Sequence, residues 1–77
     1  MIRVQLPDPE YRDTIAAFFR FGNLTVTYPE GDDALYIDFS AFDLNEEAQL
    51  GIVTRMLDAW RREHRGAVLA GAAIAIH

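Results

Sequence analysis

RGAVLAGAAIAIH, residues 65–77, ends a charge-rich chain with ten residues, 67–76, that carry no polar side chain. Its alanines favour a helix, while its valine, leucine and isoleucines favour a strand. The run is too short to cross a bilayer, which takes about 20 apolar residues. If Gly66 stops the preceding helix, the tail can alternate. Val68, Ala70, Ala72, Ile74 and Ile76 then fall on one side, with Leu69, Gly71, Ala73, Ala75 and His77 on the other. This reading makes the tail a final strand. A second short helix over 67–75 is the alternative, and Gly71 weakens either choice.

Immediately upstream, Leu50, Val53, Leu57 and Trp60, with Ala48, Ile52, Met56 and Ala59, make a wide apolar stripe at helical spacing. Thr54, Arg55, Asp58, Arg61 and Arg62 lie opposite, and Asp58 and Arg62 are spaced for an i, i+4 ion pair. Arg61, Arg62 and Arg65 suit the negative end of this helix, as does His64, and Gly66 can take the left-handed position after it. Ser40 is expected to open the helix, with Phe39 and Leu44 as a hydrophobic staple; Asp43 is the other candidate cap.

Further back, Leu24, Val26 and Tyr28 alternate with Thr25 and Thr27, and Leu35, Ile37 and Phe39 alternate with Tyr36 and Asp38. The intervening PEGDD makes the pair a hairpin. At the start, Ile2, Val4 and Leu6 alternate with Arg3 and Gln5. Asp8 then caps a helix over about 9–20, with Pro9 at its first position. Tyr11, Ile15, Phe18 and Phe21 form its inner face, and Gly22 supplies its left-handed end.

Strand, helix, strand, strand, helix, strand is the pattern of the ferredoxin-like βαββαβ two-layer sandwich. The expectation is thus an α+β chain with antiparallel sheet order 4-1-3-2, in which both helices cover one face. Seventy-seven residues form a single domain, 1–77, because a chain of this size buries only about 60 % of the surface it exposes when unfolded. With no cysteine, packing must carry the fold, helped by any self-association. No charged segment followed by an apolar stretch opens the chain, so the expected location is cytoplasmic and no membrane contact is expected.

Twelve acidic residues against seven arginines, with no lysine, give a net charge of −5. That balance repels phosphate backbones and argues against direct nucleic-acid binding. No phosphate-binding loop, nucleophile elbow or zinc-binding helix motif is present, so no cofactor is expected. His64 and His77 are too few for a zinc site, and Glu30, Asp32 and Asp33 at the hairpin tip read as a solvated turn rather than a calcium loop.

The remaining polar constellation is on the open sheet face. Arg3 and Gln5 would stand beside Tyr36 and Asp38, as a cross-strand ion pair or as a site for an anionic or hydroxylated ligand. VQLPDPEYRDTIAAFFRFGNLTV is similar to the start of an ACT domain, a resemblance that implies a small-molecule sensor. Here Asp8 and Pro9 are adjacent and no glycine follows, so that family's amino-acid-binding loop is not carried over.

Three functions follow as expectations. The first is an acidic protein-interaction or oligomerisation module with no self-contained active site. Its edge would be the tail strand, whose interface residues are Leu69, Ala73, Ala75 and His77. A second copy of the chain or another protein would cover it. The second is an ACT-like sensor or small dimeric enzyme using Arg3, Gln5, Tyr36 and Asp38, and the third an acidic inhibitor of a nucleic-acid-binding protein.

Overall fold

The computed structural model describes residues 1–29, 31–66 and 72–76. In chain order they form β1 (Ile2–Gln5), a 3-10 turn (Pro9–Tyr11), α1 (Arg12–Phe21), β2 (Thr25–Thr27), β3 (Ala34–Asp38), α2 (Glu46–Glu63) and β4 (Ala73–Ile76). The strands make one open antiparallel sheet in the order β2-β3-β1-β4. Counted from the β4 edge, this is 4-1-3-2.

Register explains the two faces. Ile2 pairs with Ile37 and Ile76, Val4 pairs with Leu35 and Ile74, and Val26 pairs with Ile37. These positions share one side of the pleat, because side chains alternate along each strand. Ile2, Val4, Val26, Leu35 and Ile37 pack with Ile15, Phe19, Val53, Leu57 and Trp60 in a single cluster, so both helices cover that face. Each fully buried large side chain here contributes about 1.5–3 kcal/mol relative to exposure.

The first helical stretch starts as expected and then departs from expectation. Asp8 Oδ1 accepts from the Glu10 amide at 2.9 Å, but Pro9–Tyr11 forms a tight 3-10 turn before the α-helix begins at Arg12. The buried face is Ile15, Ala16 and Phe19, with Phe18 partly buried. Phe21, expected inside, is 93 % exposed. At roughly 100° per residue, a position six residues after Ile15 lies about a third of a turn around the helix from it. Gly22 is not the left-handed residue either, since its φ is −81° and Asn23 has the positive φ of 67°. Gly22 packs closely instead: a Cβ there would come to 3.0 Å from the Met56 methyl group, the end of a flexible side chain.

Ser40 does not open the second helix. Its amide is already held by Asp38 Oδ1 at 2.8 Å, and the Phe42 amide donates to the Phe39 carbonyl at 2.9 Å, which turns the chain after β3. Asn45 is the cap, with Oδ1 accepting from the Ala48 amide at 2.8 Å. Phe39 and Leu44 therefore do not form a staple around Ser40. At the other end, Asp58 pairs with Arg61 at 3.4 Å rather than with Arg62, whose Nε donates to the Asp58 carbonyl. Gly66 does adopt a left-handed conformation, φ 96°, beyond the last helical residue Glu63.

The tail contributes Ala73–Ile76 as a strand antiparallel to β1. That removes the helical alternative over 73–75. The expectation for 67–71 lies outside the described residues, and so does the placing of Leu69 and His77.

Candidate functional site

The open face is built from rows that cross the sheet. Ala75, Arg3, Tyr36 and Thr27 form one row, and Ala73, Gln5 and Ala34 the next. Asp38 lies opposite Thr25, away from Gln5. Ala34 is fully buried yet outside the main core cluster, which places its cover on this polar side.

Arg3 is the hub of that cover. Its Nη2 donates to Gln5 Oε1 at 2.6 Å and its Nε to the Tyr36 hydroxyl at 3.2 Å. The expected carboxylate partner, Asp38, is replaced by Asp32 of the hairpin loop, 3.4 Å from Arg3 Nη2. Asp32 is fixed by its neighbours: Oδ2 accepts from the Tyr36 hydroxyl at 2.7 Å, and Oδ1 accepts from the Ala34 amide at 3.0 Å. Asp38 is turned back to its own loop by the Ser40 amide.

These contacts set the charge states. The Tyr36 hydroxyl, followed by the Ala34 amide and Arg3, holds the Asp32 carboxyl below its ordinary value, against a smaller opposing effect of burial. The bond to Tyr36 is the main cause raising Arg3 above its ordinary value. Ser40, mainly through its backbone amide, lowers Asp38. The Arg3, Asp32 and Tyr36 groups thus bond to one another as a clasp between the hairpin loop and the two central strands.

Arg12 extends the clasp to α1. Its Nη1 donates to the Asp32 carbonyl at 3.1 Å, and its guanidinium lies 5.0 Å from the Tyr28 ring centre. Arg20, two turns further along, lies 5.5 Å from the same ring and donates from Nη2 to the Val26 carbonyl at 2.8 Å. The sequence reading missed Asp32, Arg12, Arg20 and Tyr28 as one group. Two signals were present: an Asp two residues before a strand, where it can turn its own backbone, and two arginines eight apart on one helix face.

The two sheet edges differ accordingly. On the β2 side the strand has three residues, Pro29 follows closely, and Arg20 holds the Val26 carbonyl. On the β4 side the sequence AIAI carries no charge and no proline, Ala73, Ala75 and Ile76 are exposed, and Ile74 is half-buried. Two of the four expected interface residues, Ala73 and Ala75, thus lie exposed on the open face beside Gln5 and Arg3.

Other concavities lie elsewhere among the described residues. A cleft of about 490 Å³ between the start of α1 and the end of α2 is lined by Tyr11, Thr14, Trp60, His64 and neighbours. There His64 stacks on Trp60 with centroids 4.3 Å apart, and its Nδ1 is 2.9 Å from the Trp60 carbonyl. A smaller hollow of about 130 Å³ lies between α2 and β4, and an apolar one of about 180 Å³ lies at the end of α1. Arg3, Gln5, Tyr36 and Asp38 line none of these three.

Comparison with family models, with curated proteins and with solved structures finds no match to this chain. No described helix is long and apolar enough to cross a membrane.

Proposed function

We propose that this chain is a small ferredoxin-like interaction module whose β4 edge accepts a strand from another chain, with no self-contained active site. The observation that carries the reading is the uncharged, largely exposed strand AIAI, which among the described residues has one strand neighbour at the end of the sheet. A strand in that position presents backbone donors and acceptors to any extended segment that comes alongside. A second copy is the simplest donor, because two β4 strands related by a twofold axis pair antiparallel and present the same patch to each other. The net charge of −5 keeps such copies soluble but does not oppose pairing locally, since β4 itself is neutral.

The intramolecular use of Arg3, Gln5, Tyr36 and Asp32 supports a structural part for the open face in this module. It ties the hairpin loop to the central strand β1, which is the strand that carries β4.

Sedimentation over a dilution series tests the proposal. The wild-type chain should show a reversible rise in mass, and Ile76→Lys, placed at a residue already 47 % exposed, should weaken that association about tenfold or more while the chain stays folded. Equal masses for the two proteins at every concentration, with no partner strand bound by either, would sink it.

A further inference from the structure

The β4 edge has a hollow beside it that the pairing of backbones alone does not use. This space of about 130 Å³ is lined by Thr54, Leu57, Asp58 and Arg61 of α2 and by Ala72 and Ile74. The four helix positions are spaced i, i+3, i+4 and i+7, so they form one stripe. Val4, the β1 neighbour of Ile74, is fully buried and does not line the space. The hollow therefore lies on the side of β4 away from β1, on the sheet face that α2 covers.

A strand added to this edge stands about 4.8 Å beyond β4 and points every second side chain to that face. One of those side chains meets the hollow. β4 itself carries a candidate in Ile76, which pairs with the fully buried Ile2 and so points to the α2 side, yet is 47 % exposed. We infer that the strand received by β4 is the β4 of a second copy, with Ile76 of each copy seated in the hollow between α2 and β4 of the other. The inference rests on the reading of β4 as a strand acceptor, and adds to it the partner, the register and the side chain that selects them.

Symmetry fixes most of the geometry. Antiparallel neighbours exchanged by a twofold rotation have the axis perpendicular to the sheet, so the helices of both copies lie on one face. Side chains directly opposite each other share a face, so the axis passes through a residue position and not between two. An axis at Ile74 pairs every residue of 72–76: Ile74 meets its own copy, Ala73 meets Ala75, and Ile76 meets Ala72. The large side chain then stands opposite the small one that lines the hollow. Charge does not oppose this pairing, because β4 carries none and Asp58 and Arg61 at the hollow lie 3.4 Å apart as an ion pair. Main-chain bonds hold an added strand, and the pocket beside it sets which side chain is accepted.

The chain has no cysteine, so introduced thiols report the register. Ala73 and Ala75 are exposed, and opposite residues of an antiparallel pair have Cα atoms about 4.5–5.5 Å apart, within reach of a disulfide. In a glutathione redox buffer, an equimolar mixture of the Ala73→Cys and Ala75→Cys full-length chains should form a mixed disulfide dimer, and neither protein alone should form a dimer. By sedimentation, Ile76→Ala should associate about tenfold or more weakly than wild type, because each copy loses the side-chain carbons beyond Cβ from the hollow of the other. Its circular dichroism should match that of the wild type. A disulfide of Ala75→Cys with itself, or association that Ile76→Ala leaves unchanged, overturns the inference while leaving β4 a strand acceptor. A chain that stays monomeric but binds a foreign strand at β4 does the same. Failure to bind a strand from any source contradicts the underlying reading as well.

Discussion

Among the described residues β2 and β4 each close the sheet with a single strand neighbour, yet they meet solvent in different ways. β2 is three residues long, packs under α1, is followed closely by Pro29 and has its Val26 carbonyl held by Arg20. β4 packs under α2 but leaves Ala73, Ala75 and Ile76 exposed, with no charge or proline on the strand. Sheet edges are ordinarily protected by such devices, because an unprotected one pairs with whatever strand arrives. Among the described residues, the β2 edge carries such devices and the β4 strand does not.

A charge placed on the inner side of each edge strand breaks that comparison most severely. Val26 is 4 % exposed, whereas Ile74 is half-buried. Val26→Asp should cost roughly 4 kcal/mol or more, enough to unfold a chain of this size, while Ile74→Asp should cost about half as much. Urea denaturation of both variants checks the order. Equal losses would mean that the two edges are packed alike.

Removing the guard is the next largest change. Arg20→Ala deletes a charge-assisted bond to Val26 and a cation contact with Tyr28, and should lower stability by about 1–2 kcal/mol, allowing for partial exposure. It should also create association that Ile76→Lys does not suppress, because the newly exposed edge is β2. Thermal melts and sedimentation of the single and double variants read the two effects separately.

The smallest change concerns the clasp beneath both edges. Asp32 titrates below its ordinary value when folded, through Tyr36, Ala34 and Arg3. A depressed carboxyl contributes stability that is fully present above the unfolded-chain value of about 3.9, and that contribution is lost as pH falls through the lower folded value. Asp32→Asn should therefore be less stable than wild type near neutrality, and the gap should narrow in acid. Denaturation midpoints across that range provide the check; a gap that widens toward low pH would contradict the assignment.

Much of the architecture was legible because alternation and helical spacing are local. Ile2 and Val4, Leu35 and Ile37, and Val53, Leu57 and Trp60 fall on the inner faces their spacing assigns. The exceptions arise where two local solutions compete and tertiary contacts choose between them. Ser40 and Asn45 are both good caps, but the chain turns at Phe39–Phe42 and α2 starts only at Glu46, behind Asn45. Phe19 rather than Phe21 completes the inner face of α1, because Ile15 and Ala16 set its direction. Asp32 lies outside any strand pattern, so its place as the partner of Arg3 depends on how the hairpin loop folds back over β1, which spacing alone does not encode. The uncharged last strand was visible as AIAI, but its contrast with β2 rests on Arg20, a helix residue whose reach to Val26 only the folded chain reveals.

Amide hydrogen exchange of Ala73–Ile76 at low and high protein concentration tests the central claim most directly. The account predicts that amides of β4 which do not bond to β1 exchange quickly when dilute and become protected as the chain, or a partner strand, is concentrated, and that Ile76→Lys removes this protection. Identical exchange at every concentration and with every partner tried would contradict it, leaving β4 as an edge that nothing covers.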